Sequence, residues 1–587
     1  MYNTMRITGL ASGIDTEEMI QNLMKAERVK VDRVEQDRQT VLWRQEAYNS
    51  LNKDFANFIL NTRKMFGLTT VSRTGTFIPN SYQNLNWIKK ATSSHESIAA
   101  VSSTGKALDG TYKVNVTQLA EGVSLASGDK IGGNTNLKEM LGVNSEDVIE
   151  FTINGKKIVI GNLETDDEGN IIDDRVVPVM NENGDIIDYE AAFIHGNLDN
   201  IKLTDVTKLI NSAKVKDENG NYVSLGIKAS YDAGIDRFFL QTTDTGKDAK
   251  IEITADDVGA YFINALKLTD GERGKNGSSI IGEEFFGKDA EISFNGADNI
   301  YSSTNRITIN GITMDLVGTG EFTINVATDV DSVYEKIEQF VNEYNELVEK
   351  TNKLLGEKVY RDYKPLTSEQ KKAMDKEDIE LWEEKAKSGL LRSDDLVGRT
   401  MLNVRRSLYE KSAGIEGAFK LITEIGISTE EYARGSAGGK LVIDEQKLKE
   451  AISKDPEGTM ELLFKESNPD KVETIDGKEV KQIGGIVTRI YDNLIAGMEE
   501  IIKKSGTGDS TDLYRNVKSN ILLDFVTEYG SVSLLDKDVL DYSRRIDDLN
   551  QMLFRKENNY YAKFTAMERA ISRMNQQSMW LMQQFMG

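Results

Sequence analysis

The stretch LDKDVLDYSRRIDDLNQMLFRKENNYYAKFTAMERAISRMNQQSMWLMQQF, residues 535–585, decides how this chain is built. Leu535, Val539, Tyr542, Ile546, Leu549 and Leu553 step by 4, 3, 4, 3 and 4. After a slip, Tyr560, Phe564, Met567, Ile571, Met574, Ser578, Leu581 and Phe585 resume the same stepping. An apolar seam sustained over several heptads predicts a coiled coil. The alternative is a single amphipathic helix on a globular core. Against it, the stripe runs almost to the last residue, where an ordinary domain frays. The closing SMWLMQQFMG (578–587) is too rich in Met, Trp and Phe for a solvated tail, so it is expected to meet another surface.

The other end of the chain supplies a second half. Asp15-x-x-Glu18 fits a capping box ahead of Met19 and Ile20, so a helix is expected to start at Asp15. Ile20, Leu23, Val31, Val34, Val41, Tyr48, Leu51 and Phe55 follow a 3/4 rhythm, with polar interruptions at Glu27, Arg38 and Gln45. Such a helix is marginal alone and needs a partner. The two ends are therefore expected to zip against each other. Self-association and partner contacts fall on Ile20, Leu23, Val31, Val34 and Val41 at one end. At the other they fall on Ile546, Leu549, Leu553, Tyr560, Phe564, Met567, Ile571, Met574, Leu581 and Phe585.

Helix breakers agree. The five prolines leave the first 78 and last 118 residues free, and glycine is absent from Ser531 to Met586. Glycine is concentrated in residues 75–330, which hold 27 of the 48. Charge divides the same way. Residues 1–60 carry eight basic and nine acidic groups, and 531–587 carry eight and seven. The net −23 therefore lies wholly on residues 61–530, the part that stays solvated while the ends can pack.

The glycine-rich middle reads as β. Asn154-Gly155 and Asn310-Gly311 each sit between apolar strands, the strongest two-residue hairpin signal. Thr111–Leu119 alternates Tyr112, Val114 and Val116 with polar residues, a strand with one wet face. EGNIID (168–173) and NGDIID (183–188) form a small duplicated turn and strand. At Ser332 the period changes back: Ser332-x-x-Glu335 offers a cap, and Val333, Ile337, Phe340, Tyr344, Leu347 and Leu354 share one seam ending at Gly356. The fold class expected is α+β and multidomain, with the terminal helices forming a coiled-coil or helical-bundle leg and a β-rich, hairpin-containing head inserted between them.

Reactive chemistry finds little footing. With no cysteine and only His95 and His195, disulfides, zinc sites, thiol nucleophiles and most histidine acid/base catalysis are excluded. Gly438-Gly439-Lys440 lacks the phosphate-loop spacing, since Arg434 and Leu441 occupy the required Gly and Ser/Thr positions; Gly274-Lys275 fails likewise. The acidic turns around Gly184 and Gly220 miss calcium ligands at Val179 and Gly226. Trp43, Trp87, Trp382 and Trp580 are scattered without basic interleaving. No enzyme activity, cofactor or metal is expected. The acidic balance, with pI near 4.8, speaks against nucleic acid and anionic membranes, and no apolar run is long enough to span a bilayer. No cleavable secretory signal is visible at the start.

Several segments resemble one known family. RITGLASGIDTEEMIQNLMKAER, TYKVNVTQLA, STNRITINGITMDLVG, YNELVEKTNKLLG, YKPLTSEQKKAMDKEDIELWEEKAKSGLLRSDD, ITEIGIS and GKLVIDEQKLKEAISKDPEGTMELLF occur in the order found in the flagellar filament cap (hook-associated protein 2) family. The closing coiled coil is similar too, while residues 125–270 show no family motif. The resemblance implies export through the flagellar type III channel without a cleaved signal peptide, and a homo-oligomeric ring, a pentamer, outside the cell at the filament tip. There such a cap retains exported flagellin and promotes its folding and insertion. It further implies contacts with the hook-filament junction protein and an export chaperone on the C-terminal helix. The implied division is a leg of 1–45 and 545–587, a mainly helical domain of 46–75 and 325–544, a β-rich head of 76–124 and 270–324, and a variable outer head of 125–269. Another axial flagellar protein (flagellin or a junction protein), a surface adhesin whose head binds a host ligand, and a secreted hydrolase, disfavoured by the motifs, are the alternatives.

Overall fold

The computed structural model describes the chain except residues 1–12, 14, 72–76, 168, 181–185, 217–220, 256, 275–277, 412–414, 432–437, 476–477, 483, 507–532 and 587. It divides into two compact units. One joins Met1–Ile88 to Asp329–Gly587, and the other is Lys89–Thr328.

The first unit is helical. Helix α1 runs unbroken over Thr16–Phe66, 51 residues or about 77 Å at 1.5 Å per residue. Asp15 caps it by accepting the Glu18 N–H, and acidic Glu17 and Glu18 complement the positive end of its dipole. It stops at Gly67, which takes the left-handed conformation (φ 77°) and returns its N–H to Arg63 and Lys64. Next come α2 (Val330–Gly356), α3 (Asp395–Ser407), α4 (Glu445–Lys454) and α5 (Ile486–Ser505). The C-terminal helix α6 covers Leu534–Met586, 53 residues without glycine or proline. The start of α2 differs from the sequence reading. Asp329, not Ser332, is the cap, because its carboxylate accepts the Ser332 N–H at 3.1 Å and the helix begins ahead of Ser332.

The main core of this unit gathers most of its helices. Tyr48, Leu51, Phe55, Phe58 and Phe66 from α1 meet Val333, Phe340 and Tyr344 from α2, Val397 and Val404 from α3, and Ile490, Leu494 and Ile501 from α5. Aromatic edges lock it: Phe58 to Phe340 at 5.7 Å and Phe66 to Phe464 at 4.6 Å between centroids.

The second unit is built of mainly antiparallel sheets, with one parallel pair between Ala192–His195 and Lys156–Gly161, around two larger cores and a smaller cluster of Val159, Leu163, Ile171, Val176 and Ala191. A five-stranded sheet (Gly110–Gln118, flanked by Ala290–Phe294 and Gly320–Thr328, then Ala297–Ser302 and Lys89–Ser93 at the edges) and a three-stranded one share one core. A further five-stranded and a four-stranded sheet, with helices Leu203–Ser212 and Asp257–Ala265, surround the other. Both expected hairpins form. Ile153 pairs with Lys156 and Ile309 with Ile312, leaving Asn154-Gly155 and Asn310-Gly311 as two-residue loops with positive φ throughout. The duplicated hexapeptides part ways: Ile171 makes an isolated bridge to Thr165, whereas Ile186–Tyr189 pairs with Pro178–Met180. The fold class is thus α+β, with a β-rich insert between helical segments.

Candidate assembly surface: the paired terminal helices

The amino half of α1 and the body of α6 lie against each other, antiparallel. The order of contacts fixes the direction. Glu17 accepts the Tyr561 hydroxyl at 2.8 and 2.9 Å, Glu27 pairs with Lys556 at 2.6 Å, Arg38 reaches Ser543 at 3.5 Å, and Gln45 donates to Asp536 at 2.7 Å. Between the polar contacts sits a small apolar cluster: Val31, Val34 and Ile546, with Tyr542, Leu549 and Leu553 half-buried beside them.

Each polar interruption read in α1 therefore has a polar partner on α6. Glu27, Arg38 and Gln45 are layers of the seam and not gaps in it. The apparent slip in α6 between Leu553 and Tyr560 resolves the same way. Lys556 continues the 3/4 stepping, and its ammonium is neutralised by Glu27. The hydrogen bond and charge of Lys556 hold the Glu27 carboxyl below its ordinary pKa. A polar residue at a seam position costs stability and specifies register, because sliding by one turn would leave it facing an apolar partner.

The base of the seam is tied into the helical core. Ser533 Oγ accepts the Asp536 N–H at 3.1 Å while Asp536 accepts the Ser533 N–H at 3.0 Å, a reciprocal cap that starts α6. Gln45 also donates to the Ser505 carbonyl at the end of α5. One turn on, Tyr48 donates to Asp394 at 2.5 Å, and Lys504 contacts both Tyr48 and Asp394. Asp394 in turn accepts the Leu396 and Val397 N–H groups at the start of α3. Sequence reading missed this knot. Ser533-x-x-Asp536 was a usable signal; Asp394 and Lys504 carried none, being far apart in the chain.

The other seam residues fall out as follows. Ile20 is buried, and Val41 packs against the helical core of the unit. Leu23 is 38% exposed, and Met24 takes its place in the row that leads to Glu27. Tyr560, Phe564, Met567 and Ile571 are half-buried. Beyond them α6 outruns its partner: Met574 and Leu581 are exposed, and the side chain of Phe585 lies outside the described residues. Where α1, α6 and Glu369 converge they line a groove of about 540 Å³, with Ile20, Met24, Leu553 and Phe554 among its walls.

Among the described residues no group of three His, Asp or Glu is placed to hold a metal ion. His195 Nδ1 accepts the Leu163 N–H at 3.1 Å and His95 contacts Ser94 at 3.0 Å. Lys440 pairs with Glu349 at 2.6 Å beside the Gly438-Gly439 turn. The acidic turns at 181–184 and 217–220, and Arg434 and Lys275, lie outside the described residues. No helix among the described residues is long and apolar enough to cross a membrane.

Comparison with known proteins agrees with the nested layout. Residues 12–122 match the family model for the flagellar hook-associated protein 2 N-terminus, and 287–576 match that for its C-terminus. Flagellar hook-associated protein 2 of Halalkalibacterium halodurans is 30% identical over 99% of this chain and 100% of its own length. The chain belongs to the flagellar hook-associated protein 2 family. The relative from Thermotoga maritima is 26% identical, covering 65% of this chain and 56% of its own. A crystal structure of the flagellar cap protein from Escherichia coli aligns at TM-score 0.44 and 19% identity, covering 77% of this chain and 95% of that one. Residues 123–286 fall between the two family matches and hold most of the second core of the β unit. The paired ends of the chain carry an apolar cluster flanked by the Glu27–Lys556 ion pair and the Gln45–Asp536 hydrogen bond.

Proposed function

We propose that this chain is a non-catalytic filament cap: a homo-oligomer at the distal tip of the bacterial flagellum that retains exported flagellin and promotes its folding and insertion. The observation that carries the reading is the antiparallel seam, registered by Glu27–Lys556 and Gln45–Asp536, from which α6 runs on with an exposed apolar end. A buried Val or Ile contributes roughly 1.5–3 kcal/mol, so a seam whose buried cluster is Val31, Val34 and Ile546 closes firmly yet reopens. A cap that must shift as each flagellin enters needs contacts of that moderate, replaceable kind. In this reading residues 1–45 and 545–587 form the leg, 46–75 and 325–544 the helical domain, 76–124 and 270–324 the head, and 125–269 the outer head. The leg residues named from the sequence carry self-association, in a pentameric ring, and contacts with flagellin and the hook-filament junction protein. The C-terminal helix is also the site for an export chaperone, and the chain leaves the cell through the flagellar type III channel.

A strain lacking the chain tests the reading directly. It should shed flagellin as free monomers and build no filaments, and purified chain added outside should restore growth; normal filaments in its absence would refute the cap.

A second role as a surface adhesin has one supporting feature. In the β unit a groove of about 390 Å³ is lined by Lys156, Lys214, Lys216, Tyr189 and Tyr222 together with Glu190, so cations outnumber carboxylates there on a chain of net charge −23. Lys214→Glu with Lys216→Glu should abolish binding to host mucus or cells while leaving filament growth intact.

A further inference from the structure

Six Asn-Gly pairs punctuate the chain, and three of them, at 183–184, 219–220 and 276–277, lie outside the described residues. The other three are two-residue hairpin loops: Asn154-Gly155, Asn295-Gly296 and Asn310-Gly311. All have positive φ at both positions. Their neighbours match, since bulky apolar Ile153, Phe294 and Ile309 precede them. An Asn-Gly bond is labile because glycine has no side chain to shield its nitrogen. A base in the solvent takes the glycine amide proton, and that nitrogen attacks the asparagine Cγ. The N–Cγ bond forms, the Cγ–Nδ2 bond breaks, and Nδ2 leaves as ammonia. Water then opens the cyclic imide at one carbonyl or the other, giving aspartate or isoaspartate. By sequence context alone the three pairs are equally reactive.

The fold separates them. Asn154 is clamped, because its Nδ2 donates to the Lys250 carbonyl at 2.7 Å and its Oδ1 accepts the Glu252 N–H at 2.9 Å. Its Cγ cannot turn toward Gly155 without breaking both bonds. Asn310 is exposed and makes no side-chain hydrogen bond among the described residues, but its glycine is anchored. The Gly311 carbonyl accepts the Thr104 N–H at 2.8 Å and the Thr104 hydroxyl at 3.3 Å, which holds that peptide in place. Asn295 has neither restraint. Its exposed side chain makes no hydrogen bond among the described residues, and nothing lies within 4 Å of where a Cβ on Gly296 would stand. Only the Asn295 N–H is held, by the Lys113 carbonyl at 2.7 Å, which leaves Cγ and the Gly296 nitrogen free to meet.

We propose that Asn295 is a self-modification site, where this chain converts to aspartate and isoaspartate ahead of Asn310 and far ahead of Asn154. Isoaspartate routes the main chain through Cβ and Cγ, so it lengthens a two-residue loop, and both products add a negative charge. The strand that follows, Ala297–Ser302, is an edge strand paired only with Ala290–Phe294. A longer loop loosens that strand from its sheet.

Full-length chain is held in mildly alkaline buffer, sampled over weeks and digested. Mass spectrometry follows the peptides that carry the three asparagines, with enzymatic methylation of isoaspartate as a second readout. Asn295 should convert first and Asn310 next. Asn154, with two hydrogen bonds to break, should convert roughly tenfold to a hundredfold more slowly than Asn295. Asn154 converting as fast as Asn295, or Asn310 ahead of Asn295, would overturn the proposal. In strong denaturant the three should converge on one rate; an unchanged ranking there would give the order to sequence and overturn the structural cause. Hydrogen exchange over residues 297–302 should quicken as the chain ages. Asn295→Gly removes the reacting amide and suits positive φ, so it should keep the slow exchange of fresh protein after the same incubation. Equal ageing in that variant, or no quickening in the native chain, would overturn the loosening of the strand.

Discussion

The two halves of α1 carry one apolar rhythm and use it differently. From Tyr48 to Phe66 the stripe enters a core shared by α2, α3, α4 and α5. From Ile20 to Gln45 it faces mainly α6, joined by the helical core at Val41 and by α5 at Gln45, and the buried cluster there is Val31, Val34 and Ile546. In the first half many neighbours enclose each side chain, so apolar burial alone specifies the packing. In the second half mainly one neighbour covers one face, and apolar contact cannot tell one register from the next. That is where Glu27, Arg38 and Gln45 sit, each opposite a polar partner. Periodicity thus predicts a helix face equally well in both halves but says nothing about how strongly it is held.

The largest effect should come from the enclosed half. Phe55→Ala removes a side chain with no exposure and should cost about 3–5 kcal/mol, lowering the melting temperature of the helical unit and opening both ends. A loss below about 1 kcal/mol would erase the contrast between the halves.

Ile546→Ala comes next. With one helix covering it, its cost should stand near the lower limit for such a change, about 2 kcal/mol. The readout is local: hydrogen exchange should accelerate over residues 20–40 and 540–560 while the main melting transition holds. A drop in that transition matching Phe55→Ala would show that leg and core form one cooperative unit.

Acid should loosen the junction between the halves. Burial works against the charge on Asp394, but hydrogen bonds from Tyr48 and the Val397 N–H and the nearby Lys504 outweigh it, so its pKa lies below the ordinary value. Asp536 follows the same pattern, with burial outweighed by Ser533 and Gln45. An unfolded aspartate titrates near about 3.9. A folded pKa below that makes the stabilisation complete above it, and lost as pH falls toward and through the folded value. Melting of the helical unit should therefore fall more steeply below about pH 4 in the native chain than in Asp394→Asn, and parallel curves would dismiss the knot as a contributor.

The smallest effect on stability belongs to the layer that sets register. Glu27→Lys or Lys556→Glu should barely move the melting temperature, because the pair is partly solvated. Each should nonetheless reduce cross-linking between cysteines placed at Val34 and Ile546, and the double reversal should restore it. Full cross-linking in the single reversals would leave register to the apolar cluster alone.

Much of this was legible in the one-dimensional pattern. Absence of Gly and Pro set the extent of α6, Asp15-x-x-Glu18 marked the start of α1, and Asn-Gly pairs fixed two hairpins, because these are local effects of backbone conformation. The nested order followed from where glycine and charge were concentrated. Only the tertiary structure showed that the α6 slip is Lys556 facing Glu27, that Met24 and not Leu23 joins the row, and that the ends run antiparallel. A charged residue in a seam looks like a break until its partner, more than five hundred residues away, is seen across from it. Sequence period fixes which face of a helix is apolar; which residue stands opposite depends on how two distant segments meet, and that is decided by packing.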